Sequence, residues 1–192
     1  AKGQPLLTGG SGIALGLPAN FGKQPSIPHW EGVTGPGAVL SGSCSRATRG
    51  QVTHYKTVGP SKEITAEDAM SGAISADDLA DWILNQTTPP LVYSSADPDV
   101  VAKAQIDFGR EDVATTIENL FADLAKNLAA GGLKRLVVAG GETSGAVVTG
   151  LSAQTLHIGP KLAAGVPAVR HGDMGLALKS GNFGGEDFFS TA

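Results

Sequence analysis

The chain has 192 residues, of which 41% are hydrophobic and 17% charged, and its formal net charge is −4. This balance is typical of a folded globular domain and excludes the disordered class. The acidic charge and an aromatic content of only 5% argue against nucleic-acid binding, and no apolar run approaches the ~18 residues of a membrane helix. The single cysteine, Cys44, leaves no disulfide framework and favours a reducing compartment. We therefore expect a cytoplasmic protein without a nucleic-acid or membrane partner.

The first 36 residues are dense in glycine and proline and predict irregular structure. Such a stretch is typical of a linker, or of a segment that docks onto another structure. His29 and Trp30 are candidate anchors for it. Regular structure is expected to begin at Ala38.

The rest of the chain predicts strands that alternate with helices. Apolar runs predict strands at 38–42, 91–95, 133–139 and 175–181, with shorter strands at 155–159 and 168–171. Capping residues and apolar spacing predict helices within 43–58 (capped by Ser43 or Ser45), 73–86 (capped by Ser75), 112–132 and 140–153. This order favours an α/β fold, with a mostly parallel or mixed sheet and helices on both faces, in a Rossmann-like three-layer arrangement.

Three loops rich in glycine and serine follow predicted strands: SGSCS (41–45), GGETSG (140–145) and SGNFGG (180–185). Ligands of such sheets bind outside the carboxyl ends of the strands. Glycine lets backbone N–H groups approach a phosphate, and a following helix N-terminus adds a favourable dipole. One glycine pair after a strand is as typical of a tight turn, but the coincidence of three loops favours a ligand site.

GGETSG lacks the features of the standard phosphate loop. Ala146 and Val147 stand where a Walker A motif has its lysine and its Ser/Thr, and neither G-x-G-x-x-G nor G-x-S-x-G occurs. Thr143 and Ser144 are candidate hydroxyl donors to a phosphate. Glu142 has three alternative roles: to hold Mg²⁺ through water, to bond a ribose, or to bond a backbone N–H.

Three further motif residues have alternative roles. Lys179 is the one basic residue inside a motif, so it either reaches a phosphate or is a surface lysine at a strand end. Glu186 or Asp187 either caps the last helix, which we favour, or is linked to a metal. The scattered histidines and Cys44 predict no site of protein ligands for a structural metal.

Longer motifs resemble those of the four-carbon acid-sugar kinases. They are SGSCSRATRGQV (41–52), VVAGGETSGAVV (137–148) and LALKSGNFGGEDFF (176–189), and TGGSGIALGLP (8–18) resembles the junction between the two domains of that family. The SGSCS form is most similar to the 3-oxo-tetronate kinase branch. D-threonate and D-erythronate kinases share the other motifs and remain alternatives.

The resemblance implies a domain division and an activity. Residues 1–36 would be a linker or junction to a missing N-terminal sugar-acid-binding domain, and residues 37–192 a nucleotide-binding domain. The whole protein would use ATP and Mg²⁺ to phosphorylate a terminal hydroxyl of a four-carbon sugar acid, and this half alone would be inactive. The resemblance leaves the catalytic base unknown, with the missing domain as its expected place, and a homodimer is compatible with it. The nucleotide contacts that it carries over are Ser43, Ser45, Gly140, Gly141, Glu142, Thr143, Gly181 and Gly184.

Two other classes of function remain open from the residues. One is a non-catalytic regulatory module that uses the same loops to sense a nucleotide. The other is a hydrolase or transferase that depends on Cys44, although a packing thiol is the more common role of a cysteine with no identifiable partner.

Overall fold

The computed structural model of the chain describes residues 3, 5–24, 26 and 29–192. The strands are β1 (Gly37–Ser41), β2 (Ser61–Glu63), β3 (Leu91–Tyr93), β4 (Arg135–Ala139), β5 (His157–Ala163), β6 (Val166–His171) and β7 (Met174–Lys179). The helices are α1 (Leu17–Asn20), α2 (Arg46–Tyr55), α3 (Ala66–Ser71), α4 (Ala76–Leu84), α5 (Pro98–Phe108), α6 (Arg110–Ala130), α7 (Gly141–Gly150) and α8 (Phe188–Thr191), and a 3-10 helix spans Ser11–Gly16.

The strands form one sheet in the order β2-β3-β1-β4-β7-β6-β5. The first five strands in this order are parallel, whereas β6 and β5 run antiparallel to their neighbours. The chain starts in the middle of the sheet at β1, builds β2 and β3 on one side, and then crosses to β4 on the other. The predicted mixed α/β sheet is confirmed, and its strand order reverses direction between β1 and β4.

Both faces of the sheet are covered, and the inner positions of the central strands β1 and β4 are apolar and buried. Leu40 and Val138 belong to a core cluster with α3, α4, α6 and α7, whereas Val39 and Val137 belong to a second cluster with α2 and α8. Successive side chains of a strand point to opposite faces, so the continuous apolar run of a parallel strand buries both sides. The prediction of helices on both faces is therefore confirmed.

Three elements after residue 36 were not predicted from the sequence. The strand β2 has only the polar residues Ser-Lys-Glu and lies at the edge of the sheet. The helix α3 begins with a capping box in which Thr65 and Asp68 bond each other's backbone amides. The helix α5 begins at Pro98 and has no fully buried residue, although Val101 and Ala104 on one side are half-buried.

The expectation that residues 1–36 are irregular is wrong for part of the segment. The 3-10 helix and α1 lie within it, and Pro18 at the start of α1 is a favoured residue there. The end of the segment docks onto the sheet: the Trp30 ring packs against Gly159, and the Arg170 guanidinium lies 4.8 Å from the ring centroid. Trp30 is thus an anchor, as predicted. Residues 1, 2, 4, 25, 27 and 28 of the expected linker lie outside the described residues.

The helix α7 packs closely against α6 because Gly150 has no side chain. A Cβ on Gly150 would lie 2.0 Å from the carbonyl oxygen of Ala122 in α6, which is backbone and has no rotamer to change. A Cβ on Gly145, one and a half turns earlier in α7, would meet nothing within 4 Å. The close contact with α6 therefore fixes the position of α7 on the sheet.

We expect Gly150→Ala to lower the free energy of unfolding by about 1–3 kcal/mol, because the added methyl forces the two helices apart. The matched change Gly145→Ala should leave stability unchanged or raise it by up to ~1 kcal/mol, since alanine is the better helix former. Urea unfolding of both variants measures the difference. Equal effects of the two changes would contradict the close packing of α7 on α6.

Candidate functional site

The parallel register places the carboxyl ends of three neighbouring strands side by side. Ser41 of β1 pairs with Ala139 of β4, and Ala139 in turn pairs with Lys179 of β7. The ladder continues one step beyond the strands, because the Gly42 amide donates to the Ala139 carbonyl at 3.0 Å and the Gly140 amide to the Lys179 carbonyl at 2.9 Å. The three glycine-rich segments that the sequence singled out therefore lie next to one another.

GGETSG is the start of a helix rather than a loop. Only Gly140 lies outside α7, with a φ of +127° that favours glycine, and the helix begins at Gly141. Thr143 is buried at 5% exposure beneath this turn. A Cβ on Gly42 would lie 2.2 Å from the Thr143 hydroxyl oxygen, and one on Gly140 would lie 2.8 Å from it. Both glycines are therefore needed for the segments to pack, whether or not a ligand is bound.

The first turn of α7 leaves its amides free. The amides of Gly141, Glu142 and Thr143 have no acceptor among the described residues, and no side chain caps the helix. These groups and the aligned peptide dipoles favour an anion at this end. The Ser144 hydroxyl, predicted as a phosphate donor, instead donates to the Gly140 carbonyl at 2.6 Å.

Glu142 is exposed at the second position of α7. Its carboxylate makes no hydrogen bond and no ion pair with any residue that the structure describes, so the expected alternative of a bond to a backbone N–H is wrong for this structure. An acidic side chain in the first turn is favourable for the helix dipole, and this one remains available to a metal-bound water or a hydroxyl.

The two serines after β1 have different roles. Ser45 caps α2, because its hydroxyl oxygen accepts from the Thr48 amide at 3.2 Å, and the same hydroxyl donates to the Gly181 carbonyl at 2.5 Å. The capping prediction for Ser45 is therefore confirmed. Among the described residues the Ser43 oxygen accepts only from the Ser45 amide, at 3.3 Å, so its hydrogen is left for another acceptor. A Cβ on Gly181 would lie 2.5 Å from the Ser43 oxygen, which shows how closely the loops after β1 and β7 approach.

Lys179 is buried at 1% exposure, so the alternative of a surface lysine is wrong. Its ammonium donates to the Thr48 hydroxyl at 2.9 Å and to the Gly181 carbonyl at 3.2 Å. Burial in this space lowers the pKa of Lys179 to about 8, because the charged form loses its hydration. The lysine thus lies behind the SGNFGG loop and is still largely protonated at neutral pH.

Gln51 holds the SGNFGG loop and was missed by sequence reasoning. Its side-chain amide donates to the carbonyls of Phe183, Gly184 and Gly185 at 3.1, 3.2 and 2.8 Å. The two groups are more than 130 residues apart in the chain, so no local pattern links them. Gly184 has a φ of +84°, and a Cβ there would meet the Phe188 ring at 2.7 Å. The turn alone therefore explains why a glycine stands at position 184.

A cavity of about 250 Å³ opens beside these segments. Gly42, Cys44, Glu142 and Thr143 line it on the side of the strand ends, and α5 and α6 wall it with apolar side chains that include Val101, Val113, Ile117 and Phe121. Cys44 is a free, half-buried thiol at this edge. A polar edge joined to an apolar pocket is typical of small-molecule sites.

Asp187 does not cap the last helix with its side chain. It stands at the N-cap position of α8 without a side-chain hydrogen bond there, so the favoured capping prediction is wrong for this residue. Within the described ranges, no three His, Cys, Asp or Glu side chains come together as metal ligands, and no helix is both long and apolar enough to cross a membrane.

A sequence model described as the nucleotide-binding C-terminal domain matches residues 38–189. The chain belongs to this family. Among curated proteins it is 45% identical to a 3-oxo-tetronate kinase of Cupriavidus necator, over 98% of this chain and 46% of that protein. It is 40% identical to a 3-oxo-tetronate kinase of Salmonella typhimurium, over 98% of this chain and 47% of that protein. These matches confirm the resemblance inferred from the three motifs.

Solved structures agree with the fold of this nucleotide-binding C-terminal domain. A crystal structure from Salmonella typhimurium LT2, described as a candidate tRNA synthase, superposes with a TM-score of 0.83 and 40% identity, over 97% of this chain and 46% of that chain. A protein from Haemophilus influenzae gives 0.80 and 39%, over 84% of this chain and 40% of that chain. The domain therefore spans about half the length of the relatives that it matches.

The buried ammonium of Lys179 makes a testable contribution to stability. Its pKa in the folded chain, about 8, is below the ordinary value of 10.5, so between these two values the unfolded chain binds more protons. Stability must therefore rise with pH in this window, by up to about 3.5 kcal/mol for this one group, since the two pKa values are 10.5 and about 8 and one pKa unit corresponds to ~1.4 kcal/mol. Below pH 8 the cost of the buried charge is fully present.

We expect Lys179→Met to be more stable than the natural chain at pH 7 and to lose most of that advantage by pH 10.5. Urea unfolding at several pH values measures the difference between the two proteins, in which the other titrating groups cancel. A constant difference across this range would contradict the buried, protonated state of Lys179.

Proposed function

We propose that this domain is the ATP-binding half of a kinase that phosphorylates a four-carbon acid sugar of the 3-oxo-tetronate type. The observation that carries the proposal is the convergence of three glycine-rich segments at the ends of β1, β4 and β7, with the free amides of α7 among them. The 3-oxo-tetronate kinases that the domain resembles support the reaction and the acceptor. Residues 37–192 would bind the nucleotide, and residues 1–36 would lead to a sugar-acid-binding half.

Backbone groups would carry most of the phosphate charge in this site. The amides of Gly141, Glu142 and Thr143 point out of the helix start, and the nearby Ser43 hydroxyl donates to no described residue. Such donors are already oriented before the ligand arrives, so a loop without a Walker lysine can bind a polyphosphate. The cavity beside Glu142 offers apolar walls for the rest of the nucleotide.

The remaining predicted contacts divide into direct and supporting roles. Gly140 and Gly181 permit the close approach of the segments, because any side chain there would meet Thr143, Ser43 or Ser45. Ser45 and Gly184 would shape the loops, since Ser45 is bonded within the protein and Gly184 forms the turn beside Phe188. The direct contacts would come from Ser43 and the first turn of α7.

Phosphoryl transfer requires charge neutralisation and in-line positioning more than covalent chemistry. Mg²⁺, when bound with ATP, supplies positive charge to the transferred phosphoryl group. In this chain the exposed carboxylate of Glu142 is the residue of the α7 start that fits a metal-bound water. The base that accepts the proton of the sugar hydroxyl would belong to the other half of the protein.

Gly141→Ala tests the place of the phosphates. A Cβ on Gly141 meets no other atom of the protein within 4 Å, so the fold should be unaffected. A phosphate held by the first amides of α7 would collide with this methyl. We therefore expect the affinity for ADP to fall about tenfold or more, which corresponds to the loss of one hydrogen bond to a charged group. Isothermal titration calorimetry with ADP and Mg²⁺ measures it.

The control for this test is Gly50→Ala in α2, where an added Cβ likewise meets nothing within 4 Å. It should bind ADP as the natural chain does. Equal affinities of the Gly141 variant and the control would place the phosphates elsewhere.

Turnover separates the kinase from a nucleotide-sensing module and from a Cys44-dependent enzyme. The chain is mixed with the separately produced N-terminal half of the Cupriavidus necator relative. ADP formation from ATP is then measured with a 3-oxo-tetronate, D-threonate or D-erythronate as the phosphate acceptor. We expect ADP to form with the 3-oxo-tetronate, and Cys44→Ala to retain most of the activity. Binding without turnover favours the sensing module, and loss of all activity in a folded Cys44 variant favours the third class.

Glu142→Gln distinguishes a metal-linked carboxylate from one that bonds a ribose. We expect the variant to lose most of the increase in ADP affinity that Mg²⁺ gives to the natural chain, because an amide is a poor partner for a magnesium-bound water. Calorimetric titrations with Mg²⁺ and with EDTA measure this increase. A loss of affinity that is the same with and without Mg²⁺ would instead assign Glu142 to the ribose.

A further inference from the structure

Lys179 is a buried charge that the proposed phosphate contacts do not use. It is the last residue of β7, and its side chain runs beneath α2 instead of into solvent. The ammonium contacts the Thr48 hydroxyl and the Gly181 carbonyl and lies 5.9 Å from the centroid of the Phe189 ring. All of these partners are neutral.

No carboxylate compensates this charge within the described part of the chain. The ion pairs found there join His29 with Glu31, Arg49 with Asp97, and Lys103 with Asp107. A buried charge without a counter-charge is costly, so its retention calls for a reason.

Hydrogen bonding within the fold does not provide that reason. The Gly181 carbonyl already accepts from the Ser45 hydroxyl at 2.5 Å and from the Thr48 hydroxyl at 2.7 Å. A carbonyl oxygen has two lone pairs, so the lysine is a third donor to a satisfied acceptor. An apolar side chain of similar length would leave no buried acceptor unpaired at Gly181.

We propose that Lys179 is a positioning residue whose counter-charge is the phosphate chain of the bound nucleotide. It acts from behind the SGNFGG loop, through Gly181 and without touching the ligand. The inference rests on the proposed function, because it requires phosphates at the ends of β1, β4 and β7. A charge in a buried site is poorly screened, so it acts on anions that lie beyond the loop. A Walker motif has a lysine that contacts the phosphate directly. In this proposal the buried Lys179 supplies the positive charge instead, without contacting the phosphate.

The test varies the negative charge of the ligand through its number of phosphates. Affinities of the natural chain and of Lys179→Met for ATP, ADP, AMP and adenosine are measured by calorimetry at pH 7. We expect the variant to bind ATP about tenfold more weakly, ADP and AMP progressively less so, and adenosine as well as the natural chain, because the lost attraction scales with ligand charge. Thermal unfolding should show the variant folded and at least as stable.

Two further variants separate the charge from the hydrogen bonds. Lys179→Gln keeps polar hydrogens without charge and should reproduce the gradient, also if the methionine variant does not fold. Thr48→Val keeps the charge and removes the hydroxyl between Lys179 and Gly181, so its effect should be similar for all four ligands.

The inference would be overturned if both Lys179 variants lost the same affinity for all four ligands, or if neither lost any. The proposal that the chain binds a nucleotide would stand in both cases. Failure of the natural chain itself to bind ATP or ADP would overturn the proposed function and this inference with it.

Discussion

The candidate site depends on the close approach of three backbone segments at the ends of β1, β4 and β7. Their parallel pairing sets the ends side by side, and the amides of Gly42 and Gly140 extend the ladder by one hydrogen bond each. At this spacing Gly42, Gly140 and Gly181 have no room for a Cβ, because Thr143, Ser43 and Ser45 fill the space between the segments. Packing alone is therefore sufficient to explain these three glycines. The free amides among them belong to the first turn of α7, whose N–H groups have no intrahelical acceptor.

The sequence predicted the parts of the fold that carry local signals. Continuous apolar strands, the Ser45 and Ser75 caps and the spacing of α6 were recognisable because each is written in neighbouring residues. The edge strand β2 is polar throughout, and α5 buries no residue fully, so neither element has a strong local signal. The 3-10 helix and α1 were obscured by the glycines and prolines around them.

The candidate site was predictable in its location but not in the division of its roles. Gly/Ser-rich segments after three strands, combined with the strand-end rule, suffice to place it. Ser144 was a candidate phosphate donor, and Lys179 was either a phosphate contact or a surface lysine. Both side chains instead bond partners within the protein. Gln51, which holds three carbonyls of the SGNFGG loop, contacts residues more than 130 positions away. Such long-range partners leave no trace in a single sequence.

The buried Lys179 relates the stability of the domain to its proposed function. A protein selected for stability alone would place an apolar side chain at a site where every acceptor is already satisfied. A protein that binds a polyphosphate without a contacting lysine gains from a positive charge fixed behind its amides, since that charge needs no reorganisation when the ligand arrives. The same argument explains why the direct contacts can be backbone groups. In the proposed site the amides would orient the phosphates, while the lysine and Mg²⁺ would balance charge that neutral donors cannot.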